Sequence, residues 1–254
     1  MLNFILLLEA KIKNVNEWKS ILTAIGDITD EAMFICNSDG ITFRGIDPSH
    51  VALLDVTFPK SSFEFFDCHA SFFGLNVVDF KNVLNAAIAD DVIELHIENV
   101  NNLRVLINGT LKMEFSLKLI ERTEVNTPIP KVDAKSKVRL SPSTFSRIIS
   151  NIEKVAEHVT INTQPDKIQF LGNGDIGNAR IDLEKSNPGL ELLNVIEDSS
   201  SVYSLEYMAK IIRDIGKTCK NVNMEYGTKT PIHLLFEMPS MIKVEYYLAP
   251  RIED

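Results

Sequence analysis

Apolar residues recur along this chain in two rhythms. Trp18, Ile21, Leu22 and Ile25 fall at i, i+3, i+4 and i+7, which places them on one stripe of a helix over 15–25. The rhythm then shortens to every second residue: an apolar strand from Ala32 to Cys36, a turn at Asn37-Ser38-Asp39, and a second strand from Gly40 to Arg44. The same order returns 127 residues later, half of the 254-residue chain. Phe145, Ile148, Ile149 and Ile152 repeat the stripe on a helix over 143–155, and Val159 to Thr163, Gln164-Pro165-Asp166 and Lys167 to Leu171 repeat the hairpin. At the same offset a helix over 77–88 with Phe80, Leu84 and Ile88 matches one over 205–217 with Tyr207, Ile211 and Ile215. The strand residues Phe115, Leu117 and Leu119 match Ile242, Val244 and Tyr246.

Each half therefore reads as helix, several strands, helix, then three alternating strands, in the first half Val92 to Glu98, Leu103 to Ile107 and Leu111 to Leu119. Strands joined by tight turns favour antiparallel pairing, so the expected fold class is α+β, two similar domains with helices on one face of their sheets. The boundaries expected are 1–120 and 137–254, joined by a connector at 121–136. Thr127-Pro-Ile-Pro130 forbids a regular helix or a central strand there. The connector is also apolar at Val125, Ile129 and Val132, so Ile129 either packs on its own domain or helps form a docking surface. The apolar run from Met1 to Leu8 is too short to span a bilayer and lacks a basic leader, and reads as a buried strand.

Several stretches imitate catalytic or ligand motifs. Gly172-Asn-Gly174-Asp-Ile-Gly177 matches the dinucleotide fingerprint in letters, but the following Asn178 to Glu184 alternates like a strand where the fingerprint needs a helix. Asp47-Pro-Ser-His50 gathers an acid, a hydroxyl and an imidazole within four residues. A triad is assembled from separated elements, so this reads as a turn with His50 at its exposed corner. His69, His96, His158 and His233 show no ligand spacing, and Asn108-Gly-Thr110 reads as a hairpin turn. No metal site, cofactor or catalytic residue is expected, and an enzyme with an unrecognised site is the weaker class.

Composition alters this picture in two ways. Three cysteines, Cys36, Cys68 and Cys219, are an odd number without a CxxC pair, which fits a reducing, intracellular setting. A formal charge of −9 argues against a polyanionic partner if it is spread evenly. It is not spread evenly. The four helices carry Lys19, Lys81, Arg147, Lys154, Lys210, Arg213 and Lys217 against Glu17, Asp79, Glu153, Glu206 and Asp214, so the acid excess lies outside them. Lys210, Arg213 and Lys217 form one stripe, which is either a solvated face or a surface that meets phosphates.

Three stretches together resemble a known family: Asp39-Gly-Ile-Thr-Phe-Arg-Gly-Ile-Asp-Pro-Ser-His-Val-Ala-Leu53, the connector's Ile129-Pro130, and the ending Tyr246-Tyr-Leu-Ala-Pro-Arg-Ile-Glu253. They resemble proliferating cell nuclear antigen, the DNA sliding clamp of archaea and eukaryotes, in its archaeal branch. That resemblance implies a ring-shaped trimer, antiparallel sheets outside and helices inside, through which duplex DNA threads without sequence preference. A polymerase held by such a ring stays near its template, which is a gain in effective concentration. The resemblance assigns Lys19, Arg147, Arg213 and Lys118 to the DNA-facing surface, and helical phase adds Lys81, Lys154, Lys210 and Lys217. Asn82, Asn85, Ser150 and Glu206 stand near places where eukaryotic members are basic.

The family also docks short partner peptides. The matching positions are Ile46, His50 and Val51, Ile129 and Pro130, Pro231, and Tyr247, Leu248, Ala249, Pro250, Arg251 and Ile252, with Thr127 in place of a larger apolar residue. Subunit contacts fall on Leu111, Met113, Phe115 and Leu117 from one strand and Ala179, Ile181 and Leu183 from another. The partners implied are duplex DNA, a replicative polymerase, a clamp loader, a flap endonuclease and a DNA ligase. A homotrimer is the expected assembly, and a heterotrimeric or checkpoint-type adaptor is the alternative.

Overall fold

The structure, a computed structural model, describes residues 7–69, 72–121 and 127–252. Two compact units emerge. Unit 1 holds 1–48, 54–127 and 238–244, and unit 2 holds 49–53, 128–237 and 245–254.

The elements in chain order are β1 (Leu8–Ile12), α1 (Val15–Gly26), β2 (Glu31–Asn37), β3 (Gly40–Ile46), β4 (Ala52–Pro59), β5 (Phe63–Cys68), β6 (Phe72–Asn76), α2 (Val77–Asn85), β7 (Val92–Asn99), β8 (Asn102–Asn108) and β9 (Lys112–Lys118). There follow β10 (Ser136–Leu140), α3 (Pro142–Ile152), β11 (His158–Gln164), β12 (Lys167–Gly174), β13 (Gly177–Glu184), β14 (Leu190–Val195), β15 (Ser199–Ser204), α4 (Leu205–Ile215), β16 (Asn221–Tyr226), β17 (Ile232–Glu237) and β18 (Lys243–Leu248). Strand order shows the repeat plainly. Unit 1 pairs β5-β1-β7-β8-β9 and β6-β2-β3-β4, and the later strands repeat this as β14-β10-β16-β17-β18 and β15-β11-β12-β13. The first described strand begins at Leu8; the run from Met1 expected as a buried strand lies, over residues 1–6, outside the described residues, as does Val125.

Helix starts follow from caps. Asn14 accepts from the backbone of Asn16 and Glu17, and its own amide donates to the Glu17 carboxylate at 3.0 Å. Asn76 caps α2 and Ser141 caps α3, with Pro142 in the first turn of α3. Helix ends differ from expectation. α2, α3 and α4 stop at Asn85, Ile152 and Ile215, so Ile88, Lys154 and Lys217 lie beyond them. Ile88 is exposed, not part of the buried stripe. Counted from their caps, α2 and α4 are 128 residues apart, so Phe80 answers Met208 and Leu84 answers Ile212, all four buried. The equal-offset match of Phe80 with Tyr207 is thus one residue out of phase. A one-residue loop insertion cannot be seen from apolar periodicity alone.

Within unit 1, α1 packs on α2, and Trp18 stacks on Phe58 with ring centres 4.3 Å apart, flanked edge-on by Phe63 and Phe80. In unit 2, α3 packs on α4, and the core contains Phe145, Phe170, Tyr203 and Tyr226. Gly40 is required by its turn: at φ 146° a Cβ would lie 2.0 Å from the Phe58 carbonyl oxygen. Cys36 on β2 and Cys68 on β5 form a disulfide, which the reading of the cysteines as fitting a reducing setting did not anticipate. The two strands belong to different sheets, so no local spacing announces the pair. Cys219 is free, and burial pushes its thiol up to about 12.

Candidate functional site

The basic residues expected to face DNA are placed mainly on or beside the helices, and four of the eight hold a partner within the chain. Lys19 is half-buried on α1, and its Nζ donates to the Ala87 carbonyl at 2.7 Å, just past the C-terminus of α2. A cation there satisfies a carbonyl left open by the helix end and meets the negative end of the helix dipole. Lys81 is half-buried on α2, and Lys118 is exposed at the end of β9. On unit 2, Arg147 is exposed on α3, while Arg213 of α4 reaches Glu153 at the C-cap of α3, 3.2 Å away. Lys210 pairs with Glu206 one turn back at 3.3 Å, and the Lys154 Nζ donates to the Asn151 side chain at 2.9 Å. Lys217 is exposed two residues beyond α4.

The Glu206–Lys210 pair is visible in the sequence as an i, i+4 spacing. The Arg213–Glu153 pair is not, because its members are 60 residues apart on different helices. Both acids tether cations that the sequence reading counted as available for phosphate.

The residues expected to dock a peptide fall into a supported tail and an exposed rim. The backbone N–H of Ala249 donates to the Val51 carbonyl at 2.9 Å, and that of Arg251 to the Val202 carbonyl at 2.7 Å. These two bonds hold the tail against unit 2. The Arg251 guanidinium reaches the His158 ring. Tyr247 is nearly buried and stacks face to face on His233 with ring centres 4.5 Å apart. Leu248 is wholly buried. Ile129 (45% exposed) and Ile252 (75% exposed) carry the accessible apolar surface, and His50 sits exposed at the β3–β4 turn with φ 57°. Val51, Pro130, Pro231, Ala249 and Pro250 are half-buried in the same unit, whereas Ile46 belongs to unit 1.

Two of the strands that end their sheets, β9 and β13, carry the expected subunit contacts. In unit 1, β9 pairs only with β8 among the recorded ladders, and its residues alternate exposed and half-buried from Lys112 to Lys118. In unit 2, β13 pairs with β12, and a cleft of about 640 Å³ separates it from α3, lined by Arg147, Ile148, Asn151, Ala179, Ile181 and Leu183 among others. The glycine motif lies at the β12–β13 hairpin, where Gly177 takes φ 150° and no helix opens. Asp182 on β13 accepts from the Gln169 amide at 2.7 Å and from Arg180, and these bonds hold its carboxyl below the usual range. Glu114 of β9 and Glu98 of β7 flank Arg104 of β8 and hold its guanidinium more firmly protonated.

This repeated two-unit plan, with one helix pair per unit and an open strand at a sheet end, is matched along the chain by known proteins. Residues 7–125 match the family model of the proliferating cell nuclear antigen N-terminal domain, and residues 128–251 that of its C-terminal domain. The chain is 36% identical over 246 residues to a DNA polymerase sliding clamp of Nitrosopumilus maritimus, covering 96% of this chain and 98% of that protein. It is 29% identical to DNA polymerase sliding clamp 2 of Saccharolobus solfataricus, over 97% of this chain and all of that one. Among solved structures, proliferating cell nuclear antigen from Thermococcus kodakaraensis superimposes with a TM-score of 0.91 at 25% identity, covering 96% of this chain and all of that one. A PCNA2–PCNA3 complex from Sulfolobus tokodaii does so at 0.88 and 28%, again over 96% and 100%. The chain belongs to the proliferating cell nuclear antigen family.

Proposed function

We propose that this chain is a DNA sliding clamp: three copies close into a ring around duplex DNA and hold replication and repair enzymes on it. The observation that carries this reading is the end-to-end match to archaeal DNA polymerase sliding clamps, both domains included. Lys19, Lys81, Lys118, Arg147, Lys154, Lys210, Arg213 and Lys217 are the cations proposed to face the duplex. Several are tethered to acids, so phosphate is met weakly, through exchange of partners or through water. Weak contact suits a clamp, because topology and not affinity retains it.

Ile129, Ile252 and the His50 corner are proposed as the contact surface for apolar side chains of a docking peptide, over a floor of Tyr247 and Leu248. Polymerase, clamp loader, flap endonuclease and ligase are the partners this surface would serve, with the connector at 121–136 joining the domains and the protein resident where the DNA is. A mixed ring of related chains is the second reading, favoured by the PCNA2–PCNA3 neighbour. Loading onto a nicked circular plasmid with an archaeal clamp loader and ATP tests the function. We expect retention in 0.5 M NaCl that is lost when the plasmid is cut once, whereas equal retention on cut and circular DNA overturns it. Ile129→Ser with Ile252→Ser should abolish polymerase stimulation and leave that retention unchanged.

A further inference from the structure

We infer that the Cys36–Cys68 bond is a redox-controlled staple that sets the stability of unit 1 and leaves that of unit 2 untouched. It acts within one unit and is independent of the ring reading above. Cys36 lies on β2 and Cys68 on β5, which belong to different sheets of unit 1, so the bond crosses the seam between them. The repeat shows that this seam is a place where a link is wanted. Thr163 of β11 stands where Cys36 stands on β2, and Val195 of β14 where Cys68 stands on β5. The ladder partner of Cys68 is Leu8, and that of Val195 is Ser136. The Ser136 hydroxyl bonds Thr163 and donates to Ser199 at 2.9 Å, so unit 2 joins its sheets at the same point with hydroxyls. Of these two links, that of unit 1 is the one two electrons can open.

Burial decides how the bond opens. Cys36 is 2% exposed and pairs with the wholly buried Ile41, whereas Cys68 is half-buried at the end of β5. An incoming thiolate therefore reaches Cys68. It forms a new S–S bond to the Cys68 sulfur, and the Cys36 sulfur leaves with the electron pair and takes up a proton. The second thiolate of the same dithiol reductant attacks the mixed disulfide, releases Cys68 as a thiol once protonated, and leaves the reductant as a disulfide. Two electrons and two protons have then passed to the chain, and a disulfide oxidant runs the same steps backwards. Reduced Cys36 behaves in the core as a small hydrophobe, so the fold survives. What is lost is the tie between residues 32 apart, which restricts the unfolded chain. β5 ends its sheet and is held there by β1, so it is the first strand to loosen.

Equilibrating the full chain in glutathione and dithiothreitol buffers of graded potential tests this. Acid quenching, alkylation in denaturant and mass spectrometry read the bond, while calorimetry and hydrogen exchange on the same samples read its effect. Cys36 and Cys68 should become alkylated together, in one two-electron step, with Cys219 alkylated at every potential. The reduced chain should melt at least about 5 °C lower. Amide exchange in β2 and β5 should rise at least about tenfold, with β11 and β14 unchanged. Cys36→Ala with Cys68→Ala should match the reduced wild type and ignore dithiothreitol, and Cys219→Ser should keep the full response. If the double variant does not fold, the oxidised and reduced wild-type chains still carry the comparison. Melting points that agree within about 1 °C in the two states, or equal loosening of both units, would overturn the staple. Cys36 and Cys68 that stay open to alkylation at every potential would overturn the pairing itself.

Discussion

Trp18 and Phe145 stand at the same place in the repeat, on the buried face of the first helix of each unit, yet the cores around them are unlike. Trp18 lies among Phe58, Phe63 and Phe80, and a disulfide joins two strands of the same unit. Unit 1 also buries a polar contact, Ser240 donating to the Glu17 carboxylate, but unit 2 gathers its buried hydroxyls into one network. Ser136 donates to Ser199 at 2.9 Å and bonds Thr163, and the Tyr226 hydroxyl lies 3.2 Å from the Ile161 carbonyl and 3.3 Å from Thr163. Burial raises the phenols of Tyr203 and Tyr226 well above their ordinary range, so both stay neutral donors. One plan of strands and helices is therefore compatible with an aromatic core and with a polar network, provided that each buried group finds a partner. Fold is set by the pattern of burial, and the chemistry of the buried atoms is free to differ.

The sharpest way to break the comparison is to empty the aromatic core. Trp18→Ala should cost about 3–5 kcal/mol, with hydrogen-exchange protection lost in β1, β7 and β8 before β11 and β12. Simultaneous loss in both units would show that they do not unfold separately. Next in size, Thr163→Val leaves Ser136 and Tyr226 short of a partner, at about 1–3 kcal/mol, and should act on unit 2. A change of under about 0.3 kcal/mol in denaturant midpoint analysis would mean that the network is replaceable by packing. Smallest is the contrast between the two helix pairs. Lys19→Met removes the bond to Ala87 and should cost about 1 kcal/mol. Glu153→Gln frees Arg213 from an exposed pair, should change stability by less than about 0.5 kcal/mol, and should strengthen retention on DNA at low salt. Weaker retention on Glu153→Gln would mean that the Arg213–Glu153 pair positions the arginine instead of occupying it.

The acid–base tethers also bear on the net charge of −9. A total charge averages over faces that meet different partners, and the positive members of the helices are themselves moderated by Glu153 and Glu206. Counting cations along a helix overstates the field they present.

Much of this was legible in the residues. Two-fold repetition, antiparallel strands, the starts of all four helices and the turn nature of Asp47 to His50 all follow from spacing and capping chemistry, which act over a few residues. Helix ends were less legible: Gly216 closes α4 just past Ile215, yet the spacing of Lys210, Arg213 and Lys217 runs on through it. The proposed docking surface shows the same divide. Its tail residues were nameable in order, but that Leu248 is buried and Ile252 exposed depends on which side chains the fold covers. The Cys36–Cys68 bond, the Lys19–Ala87 bond and the Arg213–Glu153 pair are contacts 32, 68 and 60 residues apart. By itself the sequence determined the elements, their repeat and the family, because periodicity and caps are short-range. Tertiary structure alone decided which cations are free, which apolar residues are exposed and which strand ends lie open, because each is a property of what the rest of the chain leaves uncovered.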